Sequence, residues 1–76
     1  MKEQNYNYDI TEYIGTIYTS EKGWTFELNV IDWGKGGKYD LRCWSPDHMH
    51  CDRGVRFSEG ALESLYEILK ERLEKE

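Results

Sequence analysis

A hairpin signal constrains this chain more than any other feature. Gly34-Lys35-Gly36-Gly37 lies between two runs that alternate like β-strands, and glycines at such spacing favour a tight chain reversal. A turn that pairs Trp33 with Lys38 sets Ile31 opposite Asp40, Asn29 opposite Arg42 and Glu27 opposite Trp44, with Val30 facing Leu41 and Leu28 facing Cys43. Side chains alternate between the two faces of a sheet, so this register sorts the residues. One face is aliphatic (Phe26, Leu28, Val30, Leu41, Cys43) and is the expected core. The other carries Trp33 and Trp44 among Lys38 and Arg42. Indoles not needed for the core, set among cations on a solvent-facing sheet, form a platform for flat, negatively charged ligands, single-stranded nucleic acid above all.

The flanking segments complete a β-β-β-β-α order. The β-branched and aromatic run from Tyr8 to Thr19 favours a strand. Its apolar residues occupy both parities, which predicts a bulge near Gly15 or burial on both faces. A turn at Ser20-Glu21-Lys22-Gly23 leads to a second strand over Trp24–Trp33, and Lys38–Ser45 is the third. Pro46 ends it, since proline donates no ladder hydrogen bond. After a polar loop to Gly54, Val55-Arg56-Phe57 is a short fourth strand.

Ser58 is a good helix N-cap with Glu59 in the first turn, and Phe57 can staple onto Leu62. Leu62, Leu65, Tyr66, Leu69 and Leu73 then recur at helical spacing. The like-charge pairs Glu63–Glu67 and Glu67–Glu71 oppose the helix by only about 0.2–0.5 kcal/mol each, so packing of the leucine stripe decides. The expected fold is α+β: a curved four-stranded antiparallel sheet followed by one C-terminal helix, spanning residues 8–75, with 1–7 a disordered tail. One helix over four strands leaves part of its stripe uncovered, and a patch of that kind predicts a homodimer in which helices meet their copies.

The 76 residues make one domain, short enough that a partner subunit adds needed stability. Two cysteines and no apolar leader point to a reduced, cytoplasmic setting, and no run is apolar enough to cross a membrane. The net charge of −5 opposes nucleic-acid binding, but it is unevenly placed. Residues 1–20 carry −2 and residues 57–76 carry −3, while residues 21–56 hold six bases and six acids. A phosphate strand meets the local field along its path, not the sum.

Catalytic and metal chemistry find no support in the spacing. His48-x-His50 and Cys43 lack the closely spaced pairs that zinc sites use, and His48 reads as a loop-closing hydrogen-bonding residue. Cys43 reads as a small core residue. No cradle for phosphate opens a helix, and no oriented nucleophile–base pair stands out. No enzyme activity, cofactor, metal or small-molecule substrate is expected.

The segments GW-TF-ELN (23–29), Trp33, KYDLR-C-WSPDH (38–48) and RGVRFSE (53–59) resemble the bacterial YdbC-like members of the transcriptional positive cofactor four family. The resemblance covers about residues 10–73 and implies a homodimer that binds single-stranded DNA with little sequence preference, in transcription regulation, replication or repair. It implies base stacking on Trp33 and Trp44 and a backbone contact at Arg42, and it places the protein on the nucleoid when DNA-bound. RNA is an alternative ligand.

Around these residues, Lys35, Lys38 and Arg56 are expected along the phosphates, with Lys22 and Arg53 as further cations. Trp24 falls on the aliphatic parity and is open to either packing or DNA contact. Arg42 has a second reading, an ion pair with Asp40 or Glu27. The family's eukaryotic coactivator carries more cations on its second strand, where this chain has Trp24, Phe26 and Ile31. An interaction dimer of the same fold without nucleic acid is the rival reading.

Overall fold

A computed structural model describes residues 8–75; the tail expected over residues 1–7 lies outside the described residues. Four strands pair antiparallel in sequence order: β1 (Asp9–Thr19), β2 (Thr25–Asp32), β3 (Gly37–Trp44) and β4 (Val55–Phe57). The helix α1 (Glu59–Glu74) comes after them. The α+β class, the strand order and the C-terminal helix are those expected from the sequence.

The β2–β3 hairpin closes one residue earlier on each strand than the glycine pattern predicted. Asp32 pairs with Gly37 and Ile31 with Lys38, so Leu28 faces Leu41 and Glu27 faces Arg42. The Asp32 carboxylate sets this position. Its Oδ1 accepts hydrogen bonds from the backbone N–H groups of Gly34 (2.7 Å) and Gly36 (3.1 Å), both held at positive φ. Each residue keeps its parity, so the sorting into two faces survives the slip.

β1 pairs eleven residues against eight, with register shifts between Ile10 and Glu12, Tyr13 and Gly15, and Thr16 and Tyr18. Each shift flips the parity of the residues beyond it, which is why the isoleucines fell on both faces in the sequence. The bulge expected near Gly15 is therefore one of three. Burial on both faces does not occur: Ile14 and Ile17 are exposed.

Burial inverts one expectation. The fully buried side chains are Trp44, Ile31, Asn29 and Asp40, all on the face expected to meet solvent. The aliphatic face (Phe26, Leu28, Val30, Leu41, Cys43) is only half-buried. The cause is the course of α1, which buries none of its residues and leaves that face uncovered within one chain. Ser58 caps the helix as expected, its Oγ accepting from Ala61 N at 3.2 Å, and Tyr39 Oη donates to Glu59 Oε1 at 2.9 Å to tie the first turn to β3. The projecting helix gives a Cα radius of gyration of 14.3 Å, where a compact chain of this length has about 11 Å.

Candidate functional site

The buried face is knit by side chains that the strand geometry brings into one line. Arg42 lies opposite Glu27 across the ladder but forks onto Asp40, two residues along its own strand. Arg42 Nε meets Asp40 Oδ1 at 2.6 Å and Nη2 meets Oδ2 at 2.7 Å, with both side chains removed from solvent. A bidentate fork of this kind is the strong form of the ion pair. Burial disfavours the guanidinium charge, but Asp40 and Cys51 together outweigh it and move the Arg42 pKa upward. Nη1 donates to Asp52 O at 3.3 Å, which fastens the loop before β4.

Asp40 Oδ2 also accepts from Trp33 Nε1 at 3.3 Å, so one carboxylate fixes both an indole and a guanidinium. The Arg42 guanidinium carbon lies 4.7 Å from the Trp33 ring centroid and that of Arg56 lies 5.8 Å away. Contacts at these distances are attractive through the ring quadrupole. Tyr8 stacks on Trp33 with centroids 4.8 Å apart and planes at 29°, and its ring is 6.1 Å from that of Trp44.

Trp44 is also covered by His48, whose ring lies 4.2 Å away and within 6° of parallel. His48 takes the left-handed backbone conformation (φ 63°) in a loop pinned by Ser45 and Asp47. Its Nε2 is 3.0 Å from Glu27 Oε1, so it closes the loop as expected from the sequence. Burial pushes the Glu27 carboxyl up. Hydrogen bonds from Thr25 (2.6 Å), Asn29 (3.1 Å) and His48 outweigh that effect and hold it below the usual carboxylate range.

Two expectations need correction here. Trp44 is 1% exposed and Arg42 is buried, so neither offers a face to solvent in this conformation. The physical reason is that the Asp40 carboxylate engages the Arg42 guanidinium, while the His48 ring lies flat against the Trp44 indole. The ion-pair reading of Arg42 is the one realised. Cys43 is half-buried on the uncovered face rather than in a core, and burial with the Asp52 carboxylate pushes its thiol pKa up.

Trp33 is half-buried at the end of β2, where the surface opens. A cleft of about 440 Å³ lies between Trp33, Ile31, Lys35, Gly36, Lys38 and Arg56. A second, of about 530 Å³, runs past Tyr8, Trp33, Trp44, Cys51 and Arg53. A third lies between Trp33, Arg42, Arg53, Gly54 and Arg56. All three meet at Trp33, and exposed Lys35, Lys38, Arg53 and Arg56 line them. Lys22 and Trp24 are not brought to this place. They sit at the other end of β2, whose eight residues span about 26 Å.

Sequence reasoning missed Tyr8 as a site residue and Asp40 as the shared anchor of Trp33 and Arg42. Nothing but its aromatic type marked Tyr8. The alternation that placed Asp40 and Arg42 on one face was the signal for the second.

Fold and site together define the class: a small α+β protein with an open antiparallel sheet, a projecting helix, and a cation-lined surface built around one half-buried tryptophan. The chain is 38% identical over 66 residues to a protein of Treponema pallidum (strain Nichols) described as uncharacterized, an alignment that covers 86% of this chain and 78% of the other. The chain belongs to the family of that treponemal protein. No model of a protein family matches it.

Proposed function

We propose that this protein binds single-stranded nucleic acid, with DNA the first candidate, as a twofold dimer of the kind the positive cofactor four resemblance implies. The observation that carries the reading is the convergence of three clefts and four exposed cations on Trp33. An aromatic ring beside a cationic groove is what sequence-tolerant binding of unpaired strands requires, with each base–aromatic stack worth about 1–3 kcal/mol. Lys35, Lys38, Arg53 and Arg56 take the phosphates, Trp33 takes a base, and Trp44 and Arg42 form the foundation beneath. A net charge of −5 does not prevent this, because the acids concentrate toward the chain's two ends.

The dimer is supported by the uncovered surface. Leu65, Tyr66, Leu69 and Leu73 are exposed and Leu62 half-buried along α1, and the aliphatic sheet face is only half-buried among the described residues. Two copies related by a twofold axis bury both surfaces. The role belongs in the cytoplasm, on the nucleoid when the strand bound is DNA, in transcription regulation, replication or repair.

Titration with oligo-dT tests the reading: binding should alter the tryptophan fluorescence, and Trp33→Ala should weaken it at least about tenfold, one stack's worth. Unchanged affinity in a folded variant removes Trp33 from the site. The negative charge favours a second reading, an interaction dimer without nucleic acid, which predicts no response from the wild type.

A further inference from the structure

We propose that Tyr8 is an internal stand-in for a nucleobase: it closes the site in the free protein and is displaced by one unpaired base of the incoming strand. The inference rests on the nucleic-acid reading above and adds a regulated, closed state to it. Tyr8 stacks on Trp33 at 4.8 Å and 29°, and lies 6.1 Å from Trp44 at 35°. Those separations fall within the range preferred by aromatic pairs, so a base brought to the same indoles competes for the same space. The ring also lines the cleft that runs past Trp33, Trp44 and Arg53.

The position of the residue in the chain makes its ring movable but tethered. Tyr8 precedes β1, whose ladder starts with Asp9 opposite Asp32. No ladder pairing holds its backbone, so the ring can swing away without breaking the sheet. Asp9 and Ile10, paired with Asp32 and Ile31, nevertheless keep it tethered beside Trp33.

The closed arrangement is also imperfect. Trp44 is 1% exposed, yet its Nε1–H has no hydrogen-bond partner among the described residues. A buried donor without an acceptor is unfavourable. Departure of Tyr8 removes one of the two rings that, among the described residues, lie against Trp44, and lets solvent or a base carbonyl approach that indole. Affinity for a strand is reduced by the fraction of molecules that are closed.

The experiment compares the wild type with Tyr8→Ala, Tyr8→Leu and Tyr8→Phe in two assays. Acrylamide quenching of the ligand-free proteins reports whether the indoles have been uncovered. Anisotropy of a labelled oligo-dT reports affinity. Tyr8→Ala should be quenched more strongly and bind about three- to tenfold tighter, while Tyr8→Phe behaves as wild type. Tyr8→Leu keeps apolar bulk over Trp44 without a stacking ring, and should also bind more tightly if Tyr8→Ala fails to fold. Equal or weaker binding by folded Tyr8→Ala or Tyr8→Leu, with wild-type binding intact, overturns the inference and makes the ring a bystander or part of the platform. Absence of binding in every protein, with indoles uncovered in Tyr8→Ala, overturns the nucleic-acid reading and the base-mimic role with it.

Discussion

Gly54→Ala gives a direct test of how the site is held together. Gly54 has φ +63°, and a Cβ placed there would lie 2.5 Å from Arg42 Cβ, 2.7 Å from Arg42 Nε and 3.0 Å from Leu41 O. The left-handed backbone alone costs about 1–2 kcal/mol for a residue with a Cβ. The clash falls on the root of Arg42 and on β3 backbone, neither of which can yield without disturbing the Arg42–Asp40 fork, and overpacking of this kind adds about 1–3 kcal/mol.

Two other glycines separate these contributions. Gly36 has φ +93° with nothing within 4 Å, so Gly36→Ala should cost about 1–2 kcal/mol from backbone strain alone. Gly15 has open space and no positive φ, and Gly15→Ala should be neutral or stabilising by about 0.4–1 kcal/mol. Urea denaturation at one fixed protein concentration, to hold any association constant, should rank the variants Gly15→Ala, Gly36→Ala, Gly54→Ala in falling stability. In thermal melts each kcal/mol appears as about 4–8 °C. A Gly54→Ala protein within about 0.5 kcal/mol of Gly36→Ala would show that the close approach of β4's leading loop to Arg42 carries no energetic weight.

Stability should also fall in acid as Glu27 takes up a proton. Its folded pKa lies below the ordinary 4.5, so its contribution is complete above that pH and is lost as pH drops through the folded value. Glu27→Gln should flatten urea midpoints measured from pH 6 to pH 3, and superimposable wild-type and variant profiles would refute the assignment. Oligo-dT affinity should decline with salt at a log–log slope of about −3 if four cations meet phosphate in each protomer, whereas a slope near zero would remove Lys35, Lys38, Arg53 and Arg56 from the path. Leu69→Glu puts a charge on the exposed helix stripe and should give monomers by sedimentation equilibrium; a dimer of unchanged affinity would exclude the helix from the interface.

The architecture was legible because its signals are local. Alternation marked β2 and β3, Pro46 marked where β3 stops, and Ser58 with the leucine spacing marked α1. The hairpin register was not, since it is set by a contact between the Asp32 carboxylate and two glycine N–H groups rather than by the glycines themselves. The true core was missed for a related reason. Hydrophobicity nominated Leu28, Val30 and Leu41, but an uncovered face cannot become a core within one chain. The polar face is buried because Arg42, Asp40, Glu27 and His48 satisfy one another, and mutual satisfaction does not show in a residue-by-residue scale.

The three irregularities of β1 have an effect beyond curvature. An outer sheet margin of eleven residues, unpaired among the described residues, would ordinarily be an invitation for another molecule to zip onto it. Here the spacing of donors and acceptors along that margin stumbles every few residues, so an incoming straight strand falls out of step almost at once. Self-association by ladder extension is thereby discouraged, which leaves the greasy side of the sheet and helix as the surface for the dimer proposed above.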